Sequence, residues 1–287
     1  MWKTTLHYQS LYPGQSEVIY WVKHGNGATS LNWGVYNEEY GNILKTTYMA
    51  LKGLIKKFME KNGIEISRYP NQELKRRLKL LKYFEINLIL DVGANTGQYA
   101  SLMLDLHFEG NIVSFEPLSA AYQRLLIASK KYKNWRAENM AIGDMDGEIE
   151  INISENSYSS SILPMLPEHL MNAPASRYIN KEKVAIHKLD TIAPGFVQPD
   201  SRVFLKIDTQ GYEKNVLDGA GRFLTDVTGL QVEMSLIPLY SQGILFQEMI
   251  SFLREKGFQL YSLELGFSSE KTGQLLQMDG VFFRDKK

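Results

Sequence analysis

The chain has 287 residues, and its Lys plus Arg and Asp plus Glu totals of 32 each leave a formal net charge of zero, which argues against the electrostatic footprint of a nucleic-acid binder. Hydrophobic residues at 44% and charged residues at 22% exclude wholesale disorder and suit one large domain with additions. With no cysteine, disulfides, zinc–thiolate centres and thiol nucleophiles are all excluded.

Residues 1 to 42 carry aromatic, Gly, Asn and Ser residues without a sustained period and predict an irregular or short-stranded extension. From Leu44, the apolar positions Leu44, Tyr48, Leu51, Ile55 and Phe58 recur at helical spacing, with Lys45, Lys52, Lys56 and Lys57 off that stripe. A second helix is expected at "NQELKRRLKLLKYF", with Asn71 as N-cap and Glu73 in the first turn. Residues 1–85 are thus expected to form an N-terminal extension of basic amphipathic helices ahead of a domain at 86–287. Between Gly41 and Glu85, 11 Lys/Arg stand against 4 Asp/Glu, a local charge of 11 − 4 = +7. A membrane surface or an acidic partner would suit that charge, though a solvated helix pair is the plainer explanation. The opening segment lacks a basic start followed by an apolar core, and no run nears the ~18 apolar residues of a membrane helix. A cytoplasmic protein without a transmembrane segment is the expectation.

After Ile86 the pattern becomes regular. Apolar runs at "INLIL", "NIVSF", "RVFLKI" and "GLQVEM" predict buried parallel strands separated by helical patterns, and "WRAENMAI" predicts another. Tyr99, Leu102, Met103 and Leu106 form the inward stripe of the first of those helices. The fold class is therefore α/β, a doubly wound, Rossmann-like, mostly parallel sheet. At about 143–201 an insertion interrupts it, in which Ile149, Ile151 and Ile153, and later Val184 and Ile186, alternate with polar neighbours as half-buried strands do. The Ser-, Pro- and Met-rich segment between them has the character of a lid or substrate wall. "GFQLYSLEL" and "DGVFF" predict a closing antiparallel strand pair.

The segment "LILDVGANTG" joins the first buried strand to its helix. A triphosphate loop would need a lysine after Gly97, and a nicotinamide fingerprint would need glycine where Asn95 and Gln98 stand. The remaining reading is the nucleoside turn of an S-adenosylmethionine enzyme. Asp91 ends the strand, Gly93 and Gly97 allow close backbone approach, and the amides near Thr96 and Gly97 suit the ligand's carboxylate. Glu116 in "SFEP" follows Gly97 by 19 positions, the spacing of a ribose-binding acid. "MAIGD" places Ala141, Ile142 and Asp144 where an adenine would lie.

With "DVGANTGQYA", "FEP", "NMAIGDMDGEIEI", "LDTI", "FLKIDTQGYEKNVLDGA", "QVEMSLIPLY" and "QMDGVFF" in order from Asn87 to Phe283, the sequence resembles the FkbM-type methyltransferases. The resemblance implies a class I methyltransferase fold and S-adenosyl-L-methionine-dependent O-methylation of a sugar, glycan or secondary metabolite. It also implies that Asp91, Gly93, Asn95 and Gly97 meet the methionine end, Glu116 the ribose and Ala141 to Asp144 the adenine. Ala94, Thr96 and Pro117 complete the expected cofactor-binding set. Thr209 and Gln210 depart from the family pattern, which often has Glu at the second of these positions.

Methyl transfer to an alcohol needs alignment and a proton acceptor. Asp208, ending the strand "LKID", is the first candidate, and Glu233 in "QVEMS" the second. A divalent metal on this pair is the weaker alternative, since two separated carboxylates are a thin ligand set. Helix capping is the structural alternative for Asp208. Among the five histidines only His169 invites a test, and Ser159, Ser160 and Ser161 are candidate pocket residues. The competing reading is a non-catalytic nucleotide-binding scaffold that acts as an interaction module through its basic N-terminal helices. A homo-oligomer stays open.

Overall fold

The computed structural model describes the strand backbones at 17–23 and 29–35, Gly53, Lys57, Lys61, Asn62 and residues 70–285. The chain divides into two compact units, Met1–Tyr69 and Pro70–Lys287. In the first, β1 (Glu17–Lys23) and β2 (Thr29–Val35) form an antiparallel hairpin that pairs Tyr20 with Asn32. Of the helix expected from Leu44 to Phe58, Gly53 and Lys57 are helical and the other positions lie outside the described residues.

The second unit begins with α1 (Gln72–Tyr83). Asn71 caps it by accepting from the Leu74 amide at 2.8 Å, and Glu73 favours the positive end of the helix dipole. Leu81 and the charged Arg77 face inward, and Arg77 pairs with buried Glu264.

Seven strands follow in one sheet: β3 (Leu88–Val92), β4 (Asn111–Phe115), β5 (Trp135–Glu138), β9 (Val203–Ile207), β10 (Val227–Ser235), β11 (Phe258–Leu265) and β12 (Gln277–Arg284). Their spatial order is β11-β12-β10-β9-β3-β4-β5. β5, β4, β3, β9 and β10 pair in parallel, and β12 runs antiparallel between β10 and β11. This is the doubly wound sheet with the antiparallel closing pair that the hydrophobic runs predicted.

Strand side chains alternate between two cores. Leu88, Leu90, Val92, Leu205 and Ile207 share one core with Val216 and Leu217 of α6 (Glu213–Asp218) and Met249 and Leu253 of α7 (Phe246–Glu255). Ile89 and Phe204 join the other, with Leu81 of α1, Ala100 and Met103 of α2 (Gln98–Asp105) and Leu125 of α3 (Ser119–Ser129). A separate three-stranded sheet ordered β6-β8-β7 joins β6 (Ala141–Ile142), just before the insertion, to β7 (Gly147–Ser154) and β8 (Tyr178–His187) within it, and the insertion adds the short helices α4 (Pro167–Asn172) and α5 (Leu189–Ile192). Strand order reverses at β3, with β4 on one side and β9 on the other, so a crevice opens beyond their carboxyl ends.

Candidate functional site

That crevice is a cleft walled by the ends of β3, β4 and β9, by β6, and by the insertion loop from Ser157 to Ile162. Gly93, Asn95, Glu116 and Pro117 line it together with the apolar Ala141, Ile142 and Ile151 and with Asp208, Thr209 and Gln210.

Two glycines shape the first turn. Gly93 has φ +77°, and a Cβ there would stand 1.8 Å from the Asp208 carbonyl oxygen. Gly97 has φ +89° and lies under Trp135, whose ring a Cβ would meet at 2.6 Å. Any side chain would be both strained and clashing at either position. Asn95, between them, also adopts a left-handed φ of +48°. Its Nδ2 donates to the Ser157 carbonyl at 3.3 Å, while its Oδ1 is buried without a protein partner.

Glu116 is 5% exposed. One carboxylate oxygen accepts from the Asn95 amide at 2.8 Å and the other from the Leu118 amide at 2.9 Å. Each oxygen keeps lone-pair capacity for a further donor from the cleft. Burial is the main influence on its acidity and pushes the carboxyl up to about 7 against those two amide donors.

Asp91 lies beneath the cleft, not on its surface. It is fully buried on the α1–α2 side of the sheet, where Lys206 Nζ stands 3.2 Å from Oδ1 and Ser114 Oγ donates to Oδ2 at 3.0 Å. Trp135 Nε1 in turn donates to Ser114 Oγ. Ser114, Asp91, Lys206 and Gln231 are cross-strand neighbours on β4, β3, β9 and β10, so a polar row crosses this face of the sheet. Lys206 also reaches Asp208 Oδ2 at 3.4 Å and the Gly93 carbonyl at 3.4 Å. Desolvation works against its charge, but Asp91 and Asp208 outweigh it and raise its pKa. Sequence reasoning missed this lysine, because an isolated charge in "VFLKI" carries no sign of its cross-strand partner.

Asp208 follows β9 with its side chain 38% exposed at the cleft. It does not cap α6; the turn leading into that helix is held by Glu213 Oε1 accepting from the Thr209 and Gly211 amides at 3.0 Å each. Gln210 Nε2 donates to Asp208 Oδ1 and to Glu233 Oε2, both at 3.0 Å. Glu233 therefore stands behind Gln210, away from the cleft wall. Burial, then the charges of Asp208, Glu213 and Asp279, drive its pKa well up. Burial likewise pushes Glu213 to about 7 and Asp279 to about 6.

The DVGANTG turn, the glutamate after β4 and the aspartate after β9 thus gather at one cleft. The Methyltransferase FkbM domain matches residues 91–260, which hold all three. The chain belongs to the FkbM methyltransferase family.

This FkbM methyltransferase is accordingly an S-adenosylmethionine-dependent enzyme. No curated protein matches its sequence. Similar solved structures include the methyltransferase domain of bacterial CtHen1, at 13% identity over 74% of this chain and 97% of that one, with a TM-score of 0.42. A putative S-adenosylmethionine-dependent methyltransferase from Listeria monocytogenes has 9% identity over 74% and 100% of the two chains, TM-score 0.41. An rRNA methylase from Streptococcus thermophilus has 7% identity over 77% and 100%, TM-score 0.42.

Other predicted residues of the methyltransferase are placed as follows. Ala94 and Gly97 are buried in the turn and Thr96 is partly buried, none of them on the cleft wall. Asp144 is occupied by donors, the Tyr212 hydroxyl at 2.9 Å and Asn215 Nδ2 at 3.0 Å. Partial burial opposes its charge, but these donors hold its carboxyl below the ordinary value. Ser160 and Ser161 line the cleft, while Ser159 is buried against Ser176. His169 is buried in an aromatic nest with Tyr240 and Phe267, where desolvation lowers its pKa to about 4 and keeps it neutral.

Proposed function

We propose that this methyltransferase methylates a hydroxyl oxygen of a sugar, glycan or secondary metabolite, with Asp208 as proton acceptor. The observation that carries the reading is Asp208 itself. It is a partly exposed carboxylate held by Lys206 and Gln210, and it opens on the same cleft as the buried acid Glu116.

The chain's residues fit the cofactor. Glu116 retains acceptor capacity for a ribose diol, Ala141, Ile142 and Ile151 offer apolar surface for a purine, and the orphaned Asn95 Oδ1 suits an ammonium donor. Gly93, Ala94, Thr96, Gly97 and Pro117 give these groups their backbone path, and Asp91 anchors the turn from below through Lys206. S-adenosylmethionine supplies a methyl group made electrophilic by its sulfonium.

Asp208 orients an acceptor hydroxyl and takes its proton as the oxygen becomes a nucleophile. Lys206 and Gln210 fix that carboxylate so that little rotamer freedom remains to be lost during reaction. Glu233 acts one step back, through Gln210. A divalent cation on Asp208 and Glu233 is the lesser alternative, since the Gln210 amide already stands between them. The zero net charge favours a small or glycan acceptor over a polyanion.

The test is transfer of a labelled methyl group to a panel of saccharides, glycans and small alcohols, with RNA in parallel. Asp208→Asn is expected to lower transfer about a hundredfold or more while cofactor affinity stays within about twofold. Label found in RNA or on nitrogen, or full activity in Asp208→Asn, would overturn the reading.

A further inference from the structure

We propose that Gln210 is a positioning residue for methyl transfer: its side-chain amide bridges Asp208 and Glu233, aims Asp208 into the cleft and keeps the two carboxylates from facing each other unscreened. The inference rests on Asp208 being the proton acceptor.

The two N–H bonds of the amide have one carboxylate each, at 3.0 Å and 3.0 Å. The nitrogen faces the two carboxylates, and at the other end of the amide the Tyr240 hydroxyl donates to Oε1 at 2.9 Å. Both donors and one acceptor position of the side chain are thereby used. Glu233 is steadied further by Gln277 Nε2 at 2.7 Å, and the Gln210 carbonyl accepts from Ser161 Oγ at 2.7 Å. The bridge is therefore tied to β10, to β12, to the segment after β10 and to the insertion loop.

The backbone supports the same assignment. Gln210 has φ +56°, in the left-handed region that a non-glycine residue keeps only where its surroundings over-determine it. Asn95 at +48° and Ser157 at +60° share this conformation and line the same cleft. Three of the six non-glycine residues with a left-handed φ among the described residues thus line the cleft, the others being Glu85, His107 and Gln242.

Charge explains what the bridge does. Asp208 faces Lys206 on its own strand and the carboxylates of Glu213 on α6, Glu233 on β10 and Asp279 on β12. One ammonium, shared with Asp91, does not offset three acids. The amide adds a donor to each of the two nearest carboxylates, which favours their ionised forms together. Without it Asp208 would share a proton with Glu233 and turn away from the acceptor.

The experiment is a pH titration of the full-length protein by carbon-13 NMR of labelled Asp and Glu carboxyls in the presence of a chelator, with Asp208→Asn and Glu233→Gln to assign the signals. Gln210→Leu is expected to raise the apparent pKa of the Asp208–Glu233 pair by about one pH unit or more, tenfold in proton affinity, and to leave the Glu116 signal in place. Cofactor affinity by calorimetry should stay within about twofold. Tyr240→Phe removes the donor to Oε1 and should shift the pair in the same direction by less, which keeps the test open if Gln210→Leu does not fold. An unchanged titration in the folded variants overturns the inference. If Asp208→Asn loses methyl transfer while the Gln210 variants titrate like the parent, the Asp208 reading stands and this one falls. If Asp208→Asn keeps transfer, the role of Gln210 in the reaction falls together with the reading beneath it, whatever the titration shows.

Discussion

Cofactor affinity should depend on pH through Glu116. The buried carboxyl titrates near 7 in the free protein because burial outweighs its two amide donors. Two hydroxyl donors from a ribose need an ionised acceptor, so binding should bring the group back to near its ordinary 4.5. Affinity is then full above about pH 8 and is lost as pH falls through 7, where the free carboxyl takes up the proton that binding must expel. With values of about 7 free and about 4.5 bound, the dissociation constant should rise about 30-fold between about pH 8 and about pH 5.5, roughly 2 kcal/mol. Isothermal titration with S-adenosylmethionine in two buffers of different ionisation enthalpy measures both the affinity and the protons released. Glu116→Gln should bind weakly with only the shallow dependence contributed by the ligand's own ionisation. A wild-type affinity that is flat over this range, or a Glu116→Gln variant with the same slope, would refute the reasoning.

Lys206→Met should destabilise the protein by about 3–5 kcal/mol, because it leaves fully buried Asp91 without its counter-ion, and adding Asp91→Asn should recover part of the loss; urea midpoints measure both. Gly93→Ala should cost about 3 kcal/mol or more, since its methyl group would stand 1.8 Å from a carbonyl oxygen at a left-handed φ, and an unchanged melting temperature would contradict the packing described for the turn. The ligand-free protein should be more stable near pH 5 than near pH 7.5. Glu116 and Glu213 hold folded values of about 7 against an ordinary 4.5, so stability is fully present below about 4.5 and is lost as pH rises through 7. Differential scanning fluorimetry should show a decline of about 10 °C or more across that window.

The sheet was legible because its strands are nearly continuous apolar runs, and the closing pair because β11 and β12 keep a strand pattern near the end of the chain. The insertion's two strands showed in the alternation of Ile149, Ile151 and Ile153 and in that of Val184 and Ile186. Glu116 could be singled out from its distance to Gly97 alone. What the sequence could not convey is how deep along its strand an acid sits relative to the neighbouring strands. Asp91 and Asp208 both end apolar runs, yet one is sealed under the sheet by Lys206 and Ser114 while the other opens on the cleft. That difference is set by cross-strand register over more than a hundred residues. Gln210 was visible only as a departure from a family pattern, and its two carboxylate partners come from separate strands. His169 looked available in its polar, Pro-rich segment, and its burial depends on Tyr240 and Phe267, distant in sequence.

The contact between Gly93 and the end of β9 has a consequence for how such an enzyme can diversify. Main chain meets main chain there, so the distance from the Gly93 turn to Asp208 works as a fixed gauge set by two neighbouring strands. Side-chain substitution cannot lengthen or shorten it without disturbing the pairing of these two central strands. Changes of acceptor are then left to the residues around Ser157 to Ile162, which face the gauge from the insertion and can vary in length and shape while the reacting distance stays constant.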